Sequence, residues 1–171
     1  VPQGSELKLT GDDGSLHIHC EMLNSYAIGG DKESTYGNIN IEYLPQLIID
    51  TNGENCIGIG GGRNATDSKI RIIRSGIRLE CAGGNAIGIG SFDGNSSMEI
   101  QNAGIDLNMS CGNAVGIGAI KGNANIEMQN YIMKQVKMDF CIIIIKGMGI
   151  RLPTIAIGIA LQGARPNPVA M

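Results

Sequence analysis

The sequence predicts an all-β fold, a single-stranded parallel β-helix built as a three-faced solenoid of about five coils of 28 to 31 residues. Three observations carry this. The chain repeats itself at a period near thirty residues, each repeat holds three short runs of alternating apolar residues, and no helical periodicity lies between them. A single repeat has no means of burying three such runs. Stacking repeats in register gives every strand a parallel partner about 4.8 Å away and merges the alternate apolar residues into one core.

The first run of each repeat is Leu7-Lys8-Leu9, Ile39-Asn40-Ile41, Ile70-Arg71-Ile72, Met98-Glu99-Ile100 and Ile126-Glu127-Met128. The second opens four ungapped segments, Leu16 to Gly30, Leu47 to Gly61, Ile77 to Ser91 and Ile105 to Ala119, whose starts stand 31, 30 and 28 residues apart. Eight residues after each start comes an asparagine: Asn24, Asn55, Asn85 and Asn113. In a stacked fold these amides donate to and accept from one another at a buried turn, so they read as a structural ladder and not as a catalytic group. The third run follows at once, as in Cys56-Ile57-Gly58-Ile59-Gly60, Ala86-Ile87-Gly88-Ile89-Gly90 and Ala114-Val115-Gly116-Ile117-Gly118.

Residues 1–130 are thus expected to form the coils, 131–148 an inserted or capping segment, and 149–171 a last partial coil and tail. The inserted segment carries the apolar Cys141-Ile142-Ile143-Ile144-Ile145. Gly149-Ile150-Arg151-Leu152 repeats Gly76-Ile77-Arg78-Leu79 literally. The chain begins Val1-Pro2-Gln3-Gly4-Ser5 without a Met or a signal peptide and reads as a fragment or processed product.

Composition narrows the functional classes. There are 26 glycines, aromatic residues make up 4% and Trp is absent, which removes the stacking platforms that single-stranded nucleic acid requires. The net charge of −3 gives no electrostatic draw toward nucleic acid or an anionic membrane. The most apolar stretch, Cys141 to Leu161, is broken by Lys146, Arg151 and Pro153 and does not read as a membrane span. Five cysteines, Cys20, Cys56, Cys81, Cys111 and Cys141, lack C-x-x-C spacing. Cys20 and Cys81 share a column two coils apart, about 9.6 Å, beyond the reach of a disulfide, so the thiols are expected as small reduced hydrophobes.

Two sets of residues are candidates for function. In the second run, His17, Ile48, Arg78 and Asp106 form one outward column, and His19, Asp50, Glu80 and Asn108 the next. Adjacent coils would set Asp50 and Glu80 about 5 Å apart, near the carboxylate separation of retaining glycosidases. Arg78 and the two histidines can supply a charged partner or a divalent-metal ligand, but no cofactor and no metal site is assigned. The second candidate is the third run, where Gly58, Gly88 and Gly116 alternate with isoleucine or valine. Glycine outward leaves a bare backbone stripe, and glycine inward leaves an exposed apolar one; either would favour association between copies.

The units Asn55-Cys56-Ile57-Gly58-Ile59-Gly60-Gly61-Gly62 and Asn85-Ala86-Ile87-Gly88-Ile89-Gly90-Ser91, each followed by a short strand, resemble glycine-rich "GIG" repeats of surface and adhesin-like proteins of gut Gram-positive bacteria. The resemblance spans about residues 16 to 130. Pectate-lyase-like β-helices share the coil and the asparagine stack, but their catalytic and calcium-binding residues find no matching motif here. The resemblance implies a non-catalytic scaffold or a binding surface for carbohydrate or protein, self-associating and at the cell surface. Reduced cysteines leave a cytoplasmic location open, and the alternative function is a polysaccharide lyase or glycoside hydrolase using the surface carboxylate and histidine cluster.

Overall fold

The computed structural model describes residues 1–31, 33–63, 68–93, 95–121 and 124–138, and it is all-β: parallel sheets stacked as a β-solenoid of about four turns. The strands are β1 (Glu6–Thr10), β2 (Ser15–Glu21), β3 (Asn24–Gly29), β4 (Asn38–Glu42), β5 (Gln46–Arg63), β6 (Lys69–Ile73), β7 (Gly76–Asp93), β8 (Ser96–Gln101), β9 (Gly104–Lys121), β10 (Ala124–Gln129) and β11 (Ile132–Met138). One wall is the five-stranded parallel sheet β1-β4-β6-β8-β10. The other two walls belong to a single sheet, β11-β9-β7-β5-β2, with β3 also paired to β5. The second and third runs therefore join into one bent strand of 18 residues in β5, β7 and β9, and only in the first coil do they separate into β2 and β3.

Where five coils are expected, about four turns are described. Within 131–148, Ile132–Met138 forms β11 and lies parallel on β9, at the place of a further second run. Cys141 to Ile145 and residues 149–171 lie outside the described residues.

Registration follows the repeat residue for residue. Leu47 pairs with Ile77 and Ile77 with Ile105, while Ile39, Ile70 and Met98 form the matching column on the first wall. The inward members are almost fully buried: Ile39, Ile41, Leu47, Ile49, Ile70, Ile72, Leu79 and Ile100 each expose 0%. Period-two alternation of β-branched residues favours the strand, and each buried side chain then contributes about 1.5–3 kcal/mol relative to exposure.

Two corners set the coil's shape. At the first, between the walls, Tyr43, Arg74, Asn102 and Asn130 all take left-handed backbone, with φ of 56°, 48°, 51° and 48°. The amides of Tyr43, Arg74 and Asn102 each donate to a carbonyl of the next coil at 2.9 Å, and the Arg74 guanidinium stands 5.6 Å from the Tyr43 ring centroid. At the second, Gly29, Gly60, Gly90 and Gly118 have φ between 128° and 142°, a region closed to residues bearing a Cβ. A Cβ on Gly29, Gly60 or Gly90 would also run into the carbonyl of the glycine stacked above it.

The glycine wall needs correction. Gly58, Gly88 and Gly116 are buried, and so are the isoleucines beside them, so neither a bare backbone stripe nor an exposed apolar stripe exists. A Cβ on Gly58 or Gly88 would meet the Leu79 side chain, which places these glycines toward the core. Ile57, Ile87 and Val115 form a separate cluster with Phe92, while Ile59, Ile89 and Ile117 join the main core. The turn at Gly60 and its equivalents breaks strict alternation, which is why flanking residues find two different apolar clusters.

The four described cysteines are free thiols, three of them buried, and Cys56, Cys81 and Cys111 pack with Ala86, Met109 and Ala114. Burial pushes the Cys81 thiol up to about 12 and raises that of Cys56 as well, so both are held as thiols, apolar in character.

Replacing Gly60 or Gly90 by Ala should cost about 3 kcal/mol or more, because the forbidden φ and the carbonyl collision act together; urea denaturation followed by circular dichroism reads this directly. At the other corner the sign reverses. Arg74→Asn should gain roughly 0.5–1 kcal/mol, since asparagine tolerates left-handed backbone better than arginine by more than the lost ring contact is worth; an unchanged or lowered denaturation midpoint would contradict this.

Candidate functional site

The outward residues of β2, β5, β7 and β9 lie on one nearly flat wall in the order expected. His17 registers with Ile48, Ile48 with Arg78 and Arg78 with Asp106, while His19 registers with Asp50, Asp50 with Glu80 and Glu80 with Asn108. Each alternates with a core residue, so its direction is fixed by Leu47, Ile49, Ile77, Leu79, Ile105 and Leu107 on the other side of the sheet.

Side-chain contacts run diagonally as well as along the columns. The His17 Nε2–H donates to Asp50 Oδ2 at 2.5 Å, joining the two columns across the first and second coils. His19 Nδ1 lies 4.0 Å from that same oxygen, and its Nε2 lies 3.7 Å from Glu21 Oε2. One coil on, the Arg78 guanidinium donates to Glu80. Asp50 and Glu80 are thus register neighbours, Asp50 hydrogen-bonded by the His17 imidazole and Glu80 by the Arg78 guanidinium. Among the described residues, no group of three or more His, Cys, Asp or Glu side chains is gathered about a point that could hold a metal ion.

Two open depressions mark this wall. One, of about 530 Å³, lies among Ser15, Gln46, Gly76, Arg78, Gly104 and Asp106. The other, of about 200 Å³, is lined by His19, Asp50, Asn52, Glu80, Asn108 and Ser110. The six residues expected from sequence, His17, His19, Asp50, Arg78, Glu80 and Asp106, therefore share one surface; five of them line the depressions, and the sixth, His17, bonds Asp50 beside one. Gln46, Asn52, Ser110 and Glu21 were not singled out by sequence. One further step of period two along each strand places them on the same wall.

The wall opposite in character is the outer face of the β1-β4-β6-β8-β10 sheet. There Lys8 pairs with Glu42 at 3.3 Å, Arg71 reaches Glu42 at 2.9 Å and Glu99 at 3.5 Å, and Lys69 reaches Glu99 at 2.5 Å. These alternating charges neutralise one another across four coils. The asparagine ladder forms as expected, but not at a fully buried turn: Asn55 is buried and Asn85 half-buried, whereas Asn24 and Asn113 at its ends are exposed, and Asn55 Nδ2 donates to Asn24 Oδ1 at 2.8 Å, Asn85 to Asn55 at 3.2 Å and Asn113 to Asn85 at 3.0 Å. Its amides are occupied with one another. The buried glycines Gly58, Gly88 and Gly116 present no surface at all.

No protein family, curated protein or solved structure matches this chain.

The ion-pair ladder makes stability depend on acid. The Lys69 hydrogen bond is the main reason the Glu99 carboxyl stays below its usual 4.5; burial opposes it, and the charges of Lys69 and Arg71 add to the lowering. A depressed carboxylate stabilises the fold above its unfolded value and loses that contribution as pH falls through the folded one. Denaturation midpoints measured from pH 6 down to pH 3 should therefore decline more steeply below about 4.5 in the native chain than in Glu99→Gln; parallel curves would show that the ladder contributes nothing.

Proposed function

We propose that this protein is a non-catalytic solenoid module whose β2-β5-β7-β9 wall is a binding surface for carbohydrate. The observation that carries the reading is the contrast between its faces. One wall is covered by lysine, arginine and glutamate ion pairs that run between coils, whereas the other sets histidine, carboxylate, guanidinium, amide and hydroxyl groups, some of them bonded to one another, around the two described depressions on a rigid, repeating surface. Such a surface suits a hydrated, polyhydroxylated ligand, which is held by many polar contacts and not by an apolar anchor. A protein partner would be expected to need a central apolar cluster, and among the described residues the exposed large apolar ones, Leu16, Met22, Leu23 and Tyr43, belong to the first coil's edge and to a corner.

The resemblance of these runs to GIG repeats of bacterial surface proteins supports this reading, and the positive φ at Gly60, Gly90 and Gly118 gives the last glycine of that run its physical role. A location outside a bacterial cell follows as part of the same proposal. The polysaccharide-cleaving alternative rests on the registration of Asp50 with Glu80. Against it stands the engagement of both carboxylates by hydrogen bonds from His17 and Arg78, since a general acid or nucleophile has to be available to the sugar.

Binding on a glycan array, confirmed by calorimetry, should weaken about tenfold or more in Asp50→Ala/Glu80→Ala, a loss of roughly 1.4 kcal/mol, in a variant whose circular dichroism still shows the folded solenoid. Release of reducing ends or unsaturated products, abolished by the same pair of substitutions, would overturn the non-catalytic reading. Absence of binding to every glycan would reduce the module to a scaffold.

A further inference from the structure

We infer that, given a carbohydrate ligand on this wall as proposed above, the larger of the two depressions is a groove for a linear, uncharged oligosaccharide whose chain runs along the solenoid axis, across the strands and not with them. The groove follows one register column. Ser15 pairs with Gln46 and Gly76 with Gly104, while the pairing of Leu47 with Ile77 sets Gln46 beside Gly76; all four residues line the depression. The column crosses four coils, a span of about 14 Å at the strand spacing. On the third and fourth coils it carries no side chain, so the floor there is backbone, banked by Arg78 and Asp106 of the next outward column. At Gly76 the stack itself demands this, since a Cβ would run into the Pro45 carbonyl of the coil before.

Two bonded pairs obstruct the other direction. His17 to Asp50 and Arg78 to Glu80 each reach from the column that banks the groove to the column beyond it, where the smaller depression begins. A chain running with the strands has to pass over these side chains, whereas a chain along the axis keeps to the backbone floor beyond Gln46. A pyranose unit advances a linear glycan by about 5 Å, close to the coil spacing of about 4.8 Å, so successive units meet successive coils.

Charge selects the ligand. Over residues 15–21, 46–52, 76–82 and 104–110, the stretches that build this wall, the carboxylates Glu21, Asp50, Glu80 and Asp106 stand against the single guanidinium of Arg78. A uronate or sulfated chain would meet like charge there, and like-charge contact disfavours binding. Uncharged hydroxyls meet both kinds of partner: they donate to Asp106, which accepts only, and accept from the guanidinium N–H groups that Glu80 does not take. Glu80 is a positioning residue in this arrangement, holding Arg78 at the groove's edge, which is how removal of Asp50 and Glu80 together reaches a ligand bound beside them.

The probes are uncharged gluco-, manno-, xylo- and N-acetylated chito-oligosaccharides, titrated calorimetrically into the full chain from the monosaccharide upward. In at least one series affinity should climb with each added unit and level off at about three or four units, the length of the groove. Oligogalacturonates of equal length should bind about tenfold or more weakly at low salt, with the gap narrowing as salt is added. Both readings come from the unaltered chain and hold even if a variant folds poorly. Asp106→Ala should weaken the longest members about tenfold and flatten the dependence on length, whereas Asn52→Ala, in the smaller depression, should change neither. The inference is overturned, with the carbohydrate reading left standing, if a glycan binds without gaining affinity from length, if oligogalacturonates bind more tightly than uncharged chains, or if Asp106→Ala and Asn52→Ala act alike. Absence of binding in every series overturns both.

Discussion

Everything in this fold depends on one coil repeating the backbone path of the coil beneath it at the strand spacing of about 4.8 Å. The tightest expression of that constraint is the corner at Gly29, Gly60, Gly90 and Gly118, where the carbonyl of one glycine fills the space a Cβ of the next would need. A side chain there would do more than strain one residue. It would push two coils apart, and with them the hydrogen bonds of both sheets and the asparagine ladder that crosses the same coils. The composition that first looks like low complexity is the consequence: glycine where a coil turns against its neighbour, isoleucine where it fills the core.

The same constraint sorts the surface into columns, and the chemistry of a wall is decided by which residues the columns bring together. On the β1-β4-β6-β8-β10 wall, Lys8, Glu42, Arg71, Glu99 and Lys69 alternate in sign, and the long side chains reach diagonally to satisfy one another. Individual pairs of this kind are worth little at a surface, but Glu99 and Glu42 are each only 14% exposed and serve two cations. That wall is spent on cohesion. The β2-β5-β7-β9 wall carries the two depressions found among the described residues and mixes histidine, carboxylate, guanidinium, amide and hydroxyl groups around them.

Much of this was legible in the sequence for a definite reason. A period near thirty with three alternating runs fixes which residues stack, so the columns His17-Ile48-Arg78-Asp106 and His19-Asp50-Glu80-Asn108 and the asparagine ladder could be read without coordinates. What could not be read is whatever departs from period two. Ile57 and Gly58 were assigned to opposite faces, one apolar and one bare, yet both are buried, because the chain turns at Gly60 and Phe92 closes over the outer side of Ile57, Ile87 and Val115. The left-handed corner was also hidden, since its first two members are Tyr43 and Arg74, residues that do not advertise such a backbone; only Asn102 and Asn130 do. Diagonal contacts such as His17 to Asp50 depend on rotamers, which no register predicts.

The distribution of polar contacts gives the candidate site its place in the fold. The first coil has a neighbour on one side only, and Leu16 shows it: it is 36% exposed, where its equivalents Leu47, Ile77 and Ile105 deeper in the stack are buried. Burial therefore contributes least there, and an end strand opens at lower cost than an inner one. Polar bonds across the first and second coils make up part of the deficit. The amino group of Val1 donates to Gly29 at 2.8 Å, the Ser25 hydroxyl to the Asn52 carbonyl at 2.7 Å, Asn55 to Asn24, and His17 to Asp50. The histidine and carboxylate cluster thus sits on the strand pair whose attachment is weakest in apolar terms. Any ligand that binds both β2 and β5 there stabilises the end of the solenoid by the free energy of its own binding, and so couples occupancy of this wall to the integrity of the stack.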